Sequence, residues 1–126
     1  NAELMKNLTL TIALSMLLTV VNAQSEHKNS FVIEGEQIIA KFYHDNGTVA
    51  QTGTYNLTNK LHGLWTSYND KGEKQSQGQY FNGKKVGLWS FYNNDRLILV
   101  EYDTSKIAQV THLEMNDQTV VTRYDK

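Results

Sequence analysis

Few side chains in this chain could do chemistry, and their spacing does not suit it. Histidine stands at positions 27, 44, 62 and 112, and there is no cysteine. A zinc site wants closely spaced imidazoles or thiolates. His27, His44, His62 and His112 offer no i, i+4 pair, so each reads as a surface or turn histidine, with His44 and His62 the one pair that could meet across a unit. Asp45 and Asp70 could in principle serve a general acid and base pair. No spacing couples them, and carboxylates at turns satisfy local backbone donors. Ser67 and Ser90 follow tryptophans without the strand-turn-helix elbow that exposes a nucleophile. Asn46-Gly47-Thr48 and Asn56-Leu57-Thr58 fit the glycosylation acceptor pattern. The expectation is therefore a chain that is not an enzyme, with no metal and no cofactor.

What the sequence does repeat is aromatic and glycine. Tyr43-His44-Asp45-Asn46-Gly47, Gly53-Thr54-Tyr55 and Gly63-Leu64-Trp65 recur as Tyr68-Asn69-Asp70-Lys71-Gly72, Gly78-Gln79-Tyr80 and Gly87-Leu88-Trp89. The offset is 25 at Gly47/Gly72, Gly53/Gly78 and Tyr55/Tyr80, and 24 at Gly63/Gly87 and Trp65/Trp89. A fixed period of this length marks a repeat architecture. Trp65, Trp89, Tyr55, Tyr80, Tyr68 and Tyr92 are the candidate binding residues, and equally candidates for an interior. Gly47, Gly53, Gly63, Gly72, Gly78, Gly83 and Gly87 are the candidate structural glycines.

Strands must position these residues. Short apolar runs bounded by turn residues predict strands at Phe31–Ile33, Ile38–Tyr43, Val49–Leu57, Lys74–Phe81, Leu97–Tyr102, Ile107–Met115 and Thr119–Tyr124, with others opening at Leu64-Trp65 and Leu88-Trp89. Asn46-Gly47 predicts a two-residue type I′ turn, since Asn-Gly tolerates positive φ at both central positions. Asp70-Lys71-Gly72 predicts a slightly longer loop, and Asn82 to Gly87 a basic loop. Alternation puts Gly53 and Tyr55 on one face, and Gly78 and Tyr80 likewise. A glycine inside a strand weakens it, so its recurrence needs a cause: either a neighbouring ring lies flat across the bare backbone, or the position is a β-bulge. Leu64, Thr66 and Tyr68 share one face, Trp65 and Ser67 the other.

Composition bounds the rest. The chain has 126 residues, a formal net charge of -1 and no proline, which suits uninterrupted ladders. Without a basic stripe, nucleic acid and acidic lipid are not expected partners. Met5-Lys6-Asn7, the apolar run Leu8 to Val21 and Val21-Asn22-Ala23 read as a secretory signal peptide cleaved after Ala23. That run is shorter than the roughly 20 residues that cross a bilayer, so no integral span is expected after cleavage, and the mature chain is expected to be secreted or periplasmic. Residues 1–23 are the leader with Asn1 to Leu4 upstream of Met5, 24–30 a disordered linker, and 31–126 one repeat domain, with units near 43–67 and 68–91 and a divergent cap over 92–126.

The pattern carried by Tyr43, Gly47, Gly53, Tyr55, Gly63, Leu64 and Trp65, and again by Tyr68, Gly72, Gly78, Tyr80, Asn82, Gly83, Lys84, Gly87, Leu88 and Trp89, resembles the bacterial MORN-repeat variant family. The resemblance covers about half of the expected mature chain. It implies an all-β fold, an elongated single antiparallel sheet of consecutive β-hairpins, here preceded by the signal-peptide helix. Some members of that family are described as antitoxins, and eukaryotic relatives attach to membranes or proteins. Three roles follow as expectations: a secreted or periplasmic binding and scaffold module for a protein or cell-envelope partner, a carbohydrate-binding module using exposed rings, or an antitoxin-like protein that sequesters an effector.

Overall fold

The computed structural model describes residues 1–3, 27–116 and 119–123. The expected leader, apart from its first three residues, and the first part of the expected linker lie outside them. Among the described residues nine strands follow one another: β1 (Ser30–Glu34), β2 (Gln37–Tyr43), β3 (Val49–Asn56), β4 (Gly63–Tyr68), β5 (Lys74–Phe81), β6 (Lys84–Asn93), β7 (Arg96–Asp103), β8 (Lys106–Asn116) and β9 (Thr119–Arg123). They form one sheet in sequence order, every neighbour antiparallel. Eight steps of about 4.8 Å make the sheet roughly 38 Å across, against roughly 27 Å for an eight-residue strand, so it is elongated across its strands. Among the described residues no helix is long and apolar enough to cross a membrane.

The strands lie between turn-forming residues and most are rich in β-branched and aromatic residues, although β5 is polar up to Tyr80-Phe81, and the turns explain the departures from expectation. Asn46-Gly47 does not form a two-residue turn. The Gly47 N–H donates to His44 O (2.9 Å) and the His44 N–H to Thr48 O (2.8 Å), with φ +86° at Gly47 and no positive φ at Asn46. The second unit repeats this: the Gly72 N–H donates to Asn69 O (3.0 Å) and the Asn69 N–H to Glu73 O (2.9 Å). Both are three-residue loops closed by a left-handed glycine. A two-residue Asn-Gly turn with positive φ at both positions is found instead at Asn82-Gly83 (φ +46° and +82°). Lys84 to Val86 are therefore strand residues of β6 and not a loop.

Alternation sorts the side chains onto two faces. One carries Ala40, Gly53, Trp65, Gly78, Trp89 and Val100 in a single row across the sheet, tied by the pairs Ala40 with Gly53, Trp65 with Gly78, and Trp89 with Val100. Among the described residues the buried hydrophobic side chains are Ala40, Trp65, Trp89 and Val100, all in that row. The core is a line and not a layer. The other face carries Leu64, Thr66, Tyr68, Gln77, Leu88, Ser90 and Tyr92.

The β7–β8 turn is built without glycine: Thr104 and Ser105 hold φ of +49° and +70°. A left-handed backbone costs an ordinary L-residue about 1–2 kcal/mol, and most for a β-branched one. Thr104→Asn is expected to raise unfolding stability by about 1 kcal/mol in a urea melt. Ser105→Gly is expected to gain less, because the Ser105 hydroxyl accepts the Lys85 N–H (3.2 Å) and that acceptor would be lost.

Candidate functional site

The repeated glycines are seats for the repeated tryptophans. A Cβ placed on Gly53 would come closer than 3.0 Å to Cδ2, Cε2 and Cε3 of Trp65, and one on Gly78 would meet Trp89 in the same way. Each indole comes from the following strand and lies across bare backbone. The indole N–H then donates to the carbonyl of the residue after the seat, Trp65 Nε1 to Thr54 O (2.8 Å) and Trp89 Nε1 to Gln79 O (3.1 Å). This satisfies the only polar atom of a ring that is otherwise taken out of water.

The bulge expected as an alternative is also present, but on the partner strand. Pairs Gln77 with Ser90 and Gln79 with Val86 leave Gly78 opposite Gly87, Leu88 and Trp89. Between β3 and β4, Gly53 and Thr54 face His62, Gly63, Leu64 and Trp65 in the same manner. Two extra residues on the indole-bearing strand make room for the ring. Because two is an even number, the alternation of faces survives the bulge.

Tyrosines close the rim. Tyr55 meets Trp65 edge to face at 5.1 Å and 82°, and Tyr80 meets Trp89 at 5.0 Å and 86°. Tyr80 also reaches back to Trp65 (6.3 Å), and Tyr102 to Trp89 (6.1 Å), so the rings form one chain from unit to unit. Phe42 lies over Trp65 at 6.3 Å, Phe91 stacks on Trp89 at 6.0 Å, and the Lys85 ammonium sits 4.7 Å from the Trp89 ring centre. The indoles are left 3 % and 4 % exposed. The six candidate rings are thus divided: Trp65, Trp89, Tyr55 and Tyr80 belong to this closed face, whereas Tyr68 and Tyr92 stand on the opposite one.

Within the two repeat units that opposite face is the open one. Leu64 and Leu88, one repeat apart, are 49 % and 59 % exposed, since burying Trp65 and Trp89 turns the preceding residue outward. Beside them runs a polar line in which Gln77 Nε2 donates to the buried Thr66 hydroxyl (3.1 Å). A groove of about 540 Å³ beside Tyr68 is lined by Lys41, Thr48, Val49 and Thr52. A groove of about 340 Å³ beside Tyr92 is lined by Asn69, Glu73, Lys74 and Asn94. Val49 in the first and Lys74 in the second are 25 residues apart, so the two grooves lie at equivalent places in the repeat but differ in size and lining. The leucines escaped the reading of candidate residues although Gly-Leu-Trp signals them: outward leucine beside inward tryptophan follows from alternation alone.

The remaining candidates are turn fittings. His44 and His62 do not meet. His44 Nε2 bonds Tyr68 O (2.9 Å) at one end of the sheet, while His62 Nδ1 accepts the Asn82 N–H (3.4 Å) at the other. The acceptors for loop donors are Asn46 Oδ1, Asn56 Oδ1 and Asn69 Oδ1, and not the carboxylates of Asp45 and Asp70. In the two glycosylation-like triplets, Asn46 Nδ2 donates to Asp70 O (2.7 Å) and Asn56 Nδ2 to Asn82 Oδ1 (2.8 Å). Their amides tether one turn to the next. No family model matches the chain, and no curated protein is significantly similar to it.

Two results are expected from the seat geometry. Gly78→Ala should cost about 3 kcal/mol in equilibrium unfolding, because a methyl cannot share space with a fixed indole. Acrylamide should quench the fluorescence of the folded chain far less than that of the urea-unfolded chain, since both indoles are buried.

Proposed function

We propose that this chain is a non-catalytic binding and scaffold module, secreted or periplasmic, that presents the leucine face of its sheet to a protein or cell-envelope partner. The observation that carries this reading is the contrast between the faces within the two repeat units. The ring-bearing face spends its aromatic groups on one another. The other leaves two leucines at repeat spacing exposed beside a polar line and two grooves. Exposed apolar groups rimmed by polar ones are what a docking face needs. The side chains with catalytic potential are dispersed, with His44 and His62 engaged at opposite ends of the sheet. Sugar stacking on the tryptophans fits less well, because a sugar needs a free ring face and the indoles expose 3 % and 4 %.

The test is affinity capture from an envelope extract of the native cells, using the full chain and a Leu64→Glu, Leu88→Glu double variant. A stoichiometric partner held by the unmodified chain should be lost at least tenfold with the double variant, while Leu57→Glu, at an exposed turn position, should leave capture intact. Equal capture by the double variant would remove the leucine face as the contact surface.

A further inference from the structure

We infer that the outer edge of β1 is a self-association surface, where two copies pair β1 with β1, antiparallel and centred on Val32, so that two sheets become one. β1 ends the sheet, so one side of its backbone is hydrogen-bonded to β2 and the other has no strand beside it among the described residues. All five of its residues are exposed, with Phe31 at 57 %, Val32 at 49 % and Ile33 at 71 %. Proteins blunt such an edge with proline, an edge lysine or a bulge. The chain has no proline, Ser30-Phe31-Val32-Ile33-Glu34 has no lysine, and the register from Ser30–Lys41 to Glu34–Gln37 runs without a shift. Among the described residues the edge is regular, apolar at its centre and uncovered, and what fits it is another extended strand of the same character.

Its own sequence is that strand. Centred on Val32, antiparallel pairing sets Val32 against Val32, Phe31 against Ile33 and Ser30 against Glu34. Moving the centre by one residue spoils the match: on Phe31 it sets Val32 against Ser30, and on Ile33 it sets Val32 against Glu34. Charge favours the same arrangement. Pairing centred on Val32 sets Lys28 of one copy opposite Glu36 of the other, an opposite-charge pair at each end of the junction. The twofold axis is perpendicular to the sheet, so both faces continue across the junction. The joined edge is isologous and closed. It is independent of the leucine face and does not rest on that reading.

Because the chain contains no cysteine, a single introduced one reads the register without background. The chain is expressed from its full sequence and purified as the cell processes it. Val32→Cys lies on the axis, within the span a disulfide bridges, and mild oxidation should convert it to a covalent dimer on a non-reducing gel. Glu34→Cys would stand roughly 14 Å from its mate, four residues along the strand, and should remain monomeric. For the unmodified chain, light scattering over micromolar to millimolar concentrations should show a monomer–dimer equilibrium. Val32→Lys should move its midpoint at least tenfold higher with an unchanged circular dichroism spectrum. A chain monomeric throughout, a ladder of larger oligomers, equal association by Val32→Lys, or cross-linking of both cysteine variants or of neither would each overturn the inference.

Discussion

An indole laid flat on a glycine is the interaction on which this structure depends. Most domains bury apolar surface between two packed layers, and this chain has a single one. Burial must then come from side chains lying down on their own sheet, and a large ring can lie down only where a neighbouring strand carries no Cβ. Burying an aromatic side chain of about 200 Å² at about 25 cal/mol per Å² contributes roughly 5 kcal/mol before ordering costs. The seats at Gly53 and Gly78 make that gain available twice. The weakening a glycine brings to a strand, about 1 kcal/mol, is small beside it.

The period follows from the same arrangement. One unit supplies a seat strand and a ring strand, and the edge-to-face tyrosine passes the contact on, from Tyr55 through Trp65 and Tyr80 to Trp89 and Tyr102. Turn-to-turn hydrogen bonds hold both ends of the sheet in step: Asn46 to Asp70 at one end, Asn56 to Asn82 and the Gly83 N–H to Leu61 O at the other. Each unit touches only its neighbours, so stability is distributed along the sheet as in other repeat proteins.

Committing one face to its own rings decides what the other can do. Strand alternation makes inward tryptophan and outward leucine a single choice, made at Leu64-Trp65 and again at Leu88-Trp89. The grooves beside Tyr68 and Tyr92 inherit the period but differ in lining, apolar at Val49 and charged at Lys74. Duplication thus supplies a constant spacing, and substitution between the copies supplies distinct chemistry.

Much of the architecture was legible in the residues. The strand segments and the division of Trp65 from Leu64 follow from a period of two, and the repeated Gly-x-Tyr allows either a seat or a bulge, whereas the sequential strand order is implied only by the family resemblance. What local pattern could not decide is anything set by register between strands. The same Asn-Gly closes a two-residue turn at Asn82-Gly83 but a three-residue loop at Asn46-Gly47, because the pairing of Tyr43 with Val49 shifts and leaves an extra residue to accommodate. Lys84 to Val86 look like a polar loop, yet they pair with Phe81, Tyr80 and Gln79 of β5. Tyr68 and Tyr92 resemble the other four rings in type and spacing, and only the fold parts them from those rings. Residue types determine which conformations are cheap and which way each side chain points relative to its neighbours. Which strand lies alongside, and how far it has slid, is an energy shared between residues distant in sequence, and the tertiary structure alone expresses it.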